Sequence, residues 1–193
     1  MDALTTQMLK QLSGSSITQI GQQIGADKKT TTAALSTVMP MLVSALARNA
    51  SKPEGAEALH KALSEDHDGS IFDDLAGYLG DPQAANGSGI LGHILGNRQS
   101  AVAQGLSKGT GLDIGQIGQL LQIAAPLLMG ILGKQQVKKG FDIGGLTSFL
   151  GGQQKKVQKT NPGLMGALGS LLDADGDGSS VDDIMGMVGK LFK

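Results

Sequence analysis

Three carboxylates stand on alternate residues, Asp173, Asp175 and Asp177, and Gly178 follows them directly. A hard cation such as Ca2+ takes roughly six to eight oxygen ligands, and an EF-hand loop supplies the early ones from positions one, three and five, with glycine at six for the sharp turn. Ser179 would offer its carbonyl at position seven. Position twelve, where a bidentate glutamate belongs, is Ile184, and Asp183 lies one residue early. The expected metal site is therefore a shortened Ca2+ loop of Asp173, Asp175, Asp177, Ser179 and Asp183, or one closing on Asp182, weakened by the missing glutamate. The competing use of these residues is an acidic turn in which Ser180 caps a last helix, Asp182 and Asp183 favour its positive end and Asp183 completes a capping box.

Other chemistry is sparse. Gly87, Gly89 and Gly92 have the spacing of a dinucleotide-binding loop, but the residues before them, Asp81 to Asn86, read as a turn where that loop needs a buried strand. Gly133-Lys134 is followed by glutamine, so no Walker loop exists. His60, His67 and His93 are scattered and lack a partner at metal-ligand spacing. No nucleophile elbow singles out a serine. An enzyme is not expected, and no small-molecule substrate is inferred. Lys28 and Lys29, followed by Thr30, Thr31 and Thr32, open a helix that follows a glycine turn, which is how a DNA-reading helix begins. A second basic concentration comprises Lys134, Lys138, Lys139, Lys155, Lys156 and Lys159. Its ordinary reading is a solvated face, and its sharper one is a surface that meets the acidic loop of a neighbouring copy.

The elements that must carry these residues are duplicated. Ile20 to Ala47 and Leu106 to Gly133 match without a gap: Gly25 with Gly111, Asp27 with Asp113, Leu35 with Leu121, Pro40 with Pro126, Leu42 with Leu128 and Leu46 with Leu132, always 86 residues apart. In both copies apolar residues recur at helical spacing, the glycine permits a left-handed turn and the aspartate caps the next helix. Each proline lacks an amide hydrogen inside a helix and should bend it. Leu4, Met8, Leu9 and Leu12 predict a first helix capped by Asp2. Ser13 to Ser16 reads as a break. Pro53 predicts the first turn of another helix, with Leu59 and Leu63 inward. Ile71 to Leu79 reads as a short helix, and Gly80 to Gly89 as a hinge. Glycines three apart recur at Gly77 and Gly80, Gly130 and Gly133, Gly166 and Gly169, and Gly186 and Gly189. They either end short helices or leave a flat face for a helix of this or another copy.

With 193 residues the chain is long enough to bury a core without staples. It has no cysteine, and its first twelve residues lack a secretory signal, so a cytoplasmic protein is expected. Sixteen basic residues against seventeen acidic ones argue against strong non-specific attraction to nucleic acid or anionic lipid. The apolar stretch Leu120 to Leu132 is short of the roughly 20 residues of a membrane span and reads as a buried core helix. One tyrosine and four phenylalanines leave the core to Leu, Ile, Met, Val and Ala.

The expected architecture is all-α and multihelical, with two related helix-turn-helix-like units and a C-terminal acidic loop and helix. Residues 1–68 form the first unit, 69–98 a Gly-rich connector with short helices, 99–152 the second unit, and 153–193 a Lys-rich linker with the Asp loop and terminal helix. The repeated helix pairs, the segment Gly89 to Gly96, the residues Gln99 to Gln104, the run Ala125 to Met129 and the loop Asp173 to Gly178 together resemble the bacterial domain-of-unknown-function family 937, which is similar to YidB-like proteins. That resemblance implies a bacterial, intracellular, multihelical protein and no catalytic residues. The function expected is a self-associating structural or scaffolding protein that forms homo-oligomers. The alternatives are a nucleic-acid-binding regulator working through Lys28 and Lys29 and a Ca2+-binding protein working through the Asp loop. In calorimetry, Ca2+ should release or absorb heat on binding the intact chain and should do so far more weakly with Asp175→Ala; equal heats would remove the Ca2+ loop.

Overall fold

Serines, aspartates and glycines set the helix boundaries of this chain. The computed structural model describes residues 3–160 and 162–163, so Asp2 and the Asp173 to Asp183 loop lie outside the described residues. Helix α1 (Ala3–Gln11) buries Leu4 and Met8. The predicted break shrinks to one residue: the Ser13 hydroxyl accepts the Ser16 amide, and α2 (Gly14–Ile24) begins at once. Gly25, at φ 68°, ends α2, and the Asp27 carboxylate accepts the Thr30 amide at 2.8 Å to start α3 (Lys28–Asn49). Pro53 occupies the first turn of α4 (Pro53–Glu65), as its missing amide hydrogen favours.

Between the halves, the sequence segment read as one short helix divides into a 3-10 turn at Ser70–Phe72 and α5 (Leu75–Gly80), because the Asp74 side chain caps a new start at the Gly77 amide. After a 3-10 turn at Pro82–Ala85, Asn86 adopts φ 49° and caps α6 (Gly87–Leu95). Part of the expected hinge is thus helix. The second half then repeats the first: α7 (Gln99–Thr110) ends at Gly111 with φ 76°, and Asp113 accepts the Gln116 amide at 2.8 Å to start α8 (Ile114–Lys139). Finally α9 (Ile143–Thr160) runs through the Lys-rich stretch from Gln153 that reads in sequence as a linker. It does so because Gln153 and Val157 continue its buried edge.

Helices α3 and α8 continue through Pro40 and Pro126, and both prolines are buried. The two helices pack on each other. Helices α1, α2, α6 and α7 each touch both of them, α4 lies on α8, α9 lies on α3, and α4 meets α9. Exchanging the two halves maps these pairings onto each other, so the 86-residue correspondence also pairs α1 with α6 and α4 with α9. One hydrophobic cluster runs from Leu4 to Leu150. By length and composition α3 and α8 are apolar enough to cross a membrane, α8 being longer than the stretch Leu120 to Leu132 suggests, but most of each apolar window is buried inside the protein. Helices apolar all round belong either in a membrane or in the middle of a core, and here the surrounding helices cover them.

The paired glycines of α8 answer the question their spacing raises. They do not end the helix; they admit the chain after α4. A Cβ on Gly133 would stand 1.7 Å from the His67 carbonyl oxygen, and one on Gly130 would meet Ile71 and Phe72. Gly152, in α9, has open space around the same position. Gly133→Ala should therefore cost about 1–3 kcal/mol, since backbone must move. Gly152→Ala should instead raise stability by up to about 1 kcal/mol. Urea denaturation of the two variants beside the natural chain checks both signs.

Candidate functional site

The residues predicted to hold Ca2+, Asp173, Asp175, Asp177, Ser179 and Asp183, lie outside the described residues. Among the described residues no group of three or more His, Asp or Glu side chains is arranged to hold a metal ion. The first helix pair places Lys28 and Lys29 in the exposed first turn of α3, with the Lys28 ammonium against Gly14. The Thr30 amide keeps the Asp27 carboxyl below the ordinary carboxylate range, and Lys29 adds to this, so a negative charge stands beside both lysines. From Val38 to Ala47 α3 is enclosed. At the second start Gln116 donates to the carbonyls of Ile24 and Gly25, which seats the beginning of α8 on the α2–α3 turn.

Gly87, Gly89 and Gly92 belong to α6, preceded by a 3-10 turn, and Gly87 serves packing: a Cβ there would stand 2.0 Å from the Gln122 carbonyl oxygen. Beside it an amide-lined cleft of about 320 Å³ is bordered by Gln23, Gln83, Asn86, Gln119 and Gln122. Tyr78 closes the neighbouring seam by donating to the Ile123 carbonyl at 2.7 Å, and burial pushes its phenol pKa well up. Of the basic concentration, Lys134 is engaged by Asp73 at 3.6 Å and lies 5.2 Å from the Phe72 ring centre. Lys139 lies over Phe149 and Phe141, at 4.9 and 5.5 Å. Lys138, Lys155, Lys156 and Lys159 are exposed.

A second concave feature was not visible in the sequence. A groove of about 490 Å³ opens between α4 and α6, with Leu46, Leu59, Ala62, Ile90, Ile94 and Met129 as its apolar lining. Glu54, Asp66, His67 and His93 stand on it, so two of the histidines that look scattered in sequence share one surface. Asn49 donates to the His93 carbonyl at 2.8 Å and ties α3 to α6 at one end. The third histidine, His60, faces elsewhere, its Nε2 3.1 Å from the Phe141 carbonyl. No sequence signal pointed to the groove, because its walls come from α3, α4, α6 and α8.

Such an arrangement offers an apolar floor with two carboxylates and two histidines on its rim. The class defined by fold and surface is an internally duplicated, all-α helical protein. The chain belongs to the family DUF937, described as bacterial proteins of unknown function, which matches residues 6–135, from α1 to late α8. No curated protein and no solved structure matches it significantly.

Partial burial lowers the His67 pKa below its ordinary value, against the opposing charge of Asp66. A histidine whose folded pKa is depressed stabilises the fold fully above its unfolded pKa and progressively less as pH falls through and below about 6.5. His67→Gln, which places the amide of the corresponding Gln153 there, should flatten the fall in urea midpoint between pH 7 and 5. An unchanged slope would show that His67 does not contribute.

Proposed function

We propose that this protein is a non-enzymatic, self-associating structural or scaffolding protein of the bacterial cytoplasm. The observation that carries the reading is the apolar side chains of the α8–α9 corner, where Val137 is 72% and Ile143 39% exposed and the part-buried rings of Phe141 and Phe149 pair; Ile114, 50% exposed at the start of α8, is the other large exposed apolar side chain among the described residues. Two exposed apolar side chains and a part-buried ring pair within thirteen residues of chain favour a contact surface there. The duplication adds to it, because two related units that already pack on each other within one chain present similar faces between chains. The non-enzymatic reading is supported by hydroxyls among the described residues: Thr18, Thr31, Thr32, Ser36, Thr37 and Ser64 are each bound back to a carbonyl one turn earlier. Hydroxyls so used are part of the helices rather than nucleophiles in waiting.

Size-exclusion chromatography with light scattering, in Ca2+ and again in chelator, tests the reading on the intact chain. Masses well above that of one chain, rising with concentration, are expected. Loss of the assembly in chelator would make the Asp173 loop part of it. A single-chain mass in both buffers at high concentration overturns self-association.

A further inference from the structure

Two of the differences between the halves of this protein fit each other. Counting back 86 residues, Ile90 and Ile94 of the groove correspond to Leu4 and Met8, His67 and Gly89 to Gln153 and Ala3, and Asn49 and His93 to Gln135 and Gln7. In that second position the seam is shut. Gln135 donates to Gln7 at 2.8 Å and the Ala3 amide donates to Gln153 at 3.1 Å, which binds α1 to α8 and α9. Leu4 and Met8 are 1% and 0% exposed, whereas Ile90 and Ile94 each keep 9%. The cause is helix length. Helix α9 continues to Thr160, but α4 ends at Glu65 and the chain turns away, its His67 carbonyl against Gly133.

The α8–α9 corner is the second difference. Val137, Phe141 and Ile143 correspond to Ser51, Gly55 and Glu57 in the first half, so the apolar corner has a polar duplicate. Lys138 is exposed on this corner, and Lys139 lies over its two rings. The groove, for its part, carries Glu54 and Asp66 and, among the described residues, no lysine or arginine in its lining. Each chain therefore has one acidic apolar groove that its own duplicate closes and one corner whose apolar side chains its own duplicate lacks; of the charges on that corner Lys138 has a duplicate in Lys52, and the Asp142 carboxylate is held by the Gly145 amide.

We propose that the α8–α9 corner of one molecule seats in the α4–α6 groove of a second copy. Val137 and Ile143 bury against the apolar floor, and Lys138 pairs with the carboxylates of Glu54 and Asp66. Donor and acceptor surfaces are different parts of the chain, so the contact is heterologous and passes from copy to copy into a ring or filament. The inference rests on the self-association reading above and assigns its contact.

The chain has no cysteine, which permits a direct test on the full-length protein. Ala58→Cys places a thiol on the groove wall and Val137→Cys one on the corner. Under mild oxidation the double variant should give a ladder of covalent oligomers beyond the dimer. Each single variant should not, nor should Gln104→Cys combined with Val137→Cys. In parallel, Val137→Asp should weaken association about tenfold or more, since it removes a buried apolar side chain and sets a carboxylate against carboxylates. Its melting temperature confirms that the variant is folded. A natural chain that stays a single copy overturns both the self-association reading and this contact. A natural chain that associates, with unchanged assembly in Val137→Asp and no ladder from the double variant, leaves self-association standing and overturns the contact. A link formed only within one chain overturns it as well.

Discussion

The packing of α3 against α8 is the constraint on which the rest of this structure hangs. From Val38 to Ala47 in α3, and from Ile123 to Gly133 in α8, every residue is buried, so over these stretches neither helix has a face to give to solvent. A helix in that position must be covered on all sides, and that sets the number and placement of its neighbours. It also accounts for the crossed pairing, in which α4 covers α8 and α9 covers α3. Because each half contributes cover to the other half's central helix, the halves share one core. With four phenylalanines and one tyrosine in the chain, that core is filled by aliphatic and methionine side chains.

Divergence between the duplicates is concentrated where those covering helices meet the central pair. On α4, His60 and Ser64 face a buried glutamine: Gln136 donates to the Ser64 hydroxyl at 2.6 Å and to the His60 carbonyl at 3.4 Å, while its Oε1 has no protein partner. The corresponding positions of α9 are Leu146 and Leu150, both fully buried, and Ala50 stands where α8 has Gln136. A buried amide oxygen without a hydrogen bond costs free energy that an apolar contact does not. The seam between α4 and α8 is thus the less favourable of the two, and it adjoins the groove. The more apolar seam carries the longer helix.

How far the sequence could be read depended on whether a signal was local. Gly25 and Gly111 adopt left-handed turns, and Asp27 and Asp113 cap the helices after them, because a cap involves residues within one turn of each other. Pro53 at a helix start is legible for the same reason. The glycines of α8 were ambiguous, since a glycine that ends a helix and one that admits a neighbour look alike without the neighbour. Gln153 to Thr160 reads as a linker because lysines dominate its composition, whereas two buried residues, Gln153 and Val157, decide that it is helix.

By itself, the sequence determined the helical class, the duplication, most helix boundaries and the membership of the two central helices in a core, all consequences of periodicity, capping and the left-handed freedom of glycine. Only the tertiary structure decided that α4 and α9 exchange central helices, that one of two equivalent seams stays open, and that His67 and His93 share a groove with Glu54 and Asp66. The reason is physical: those features arise from side chains dozens of residues apart meeting across a core. Such meetings depend on where each helix stops as much as on which residues it carries.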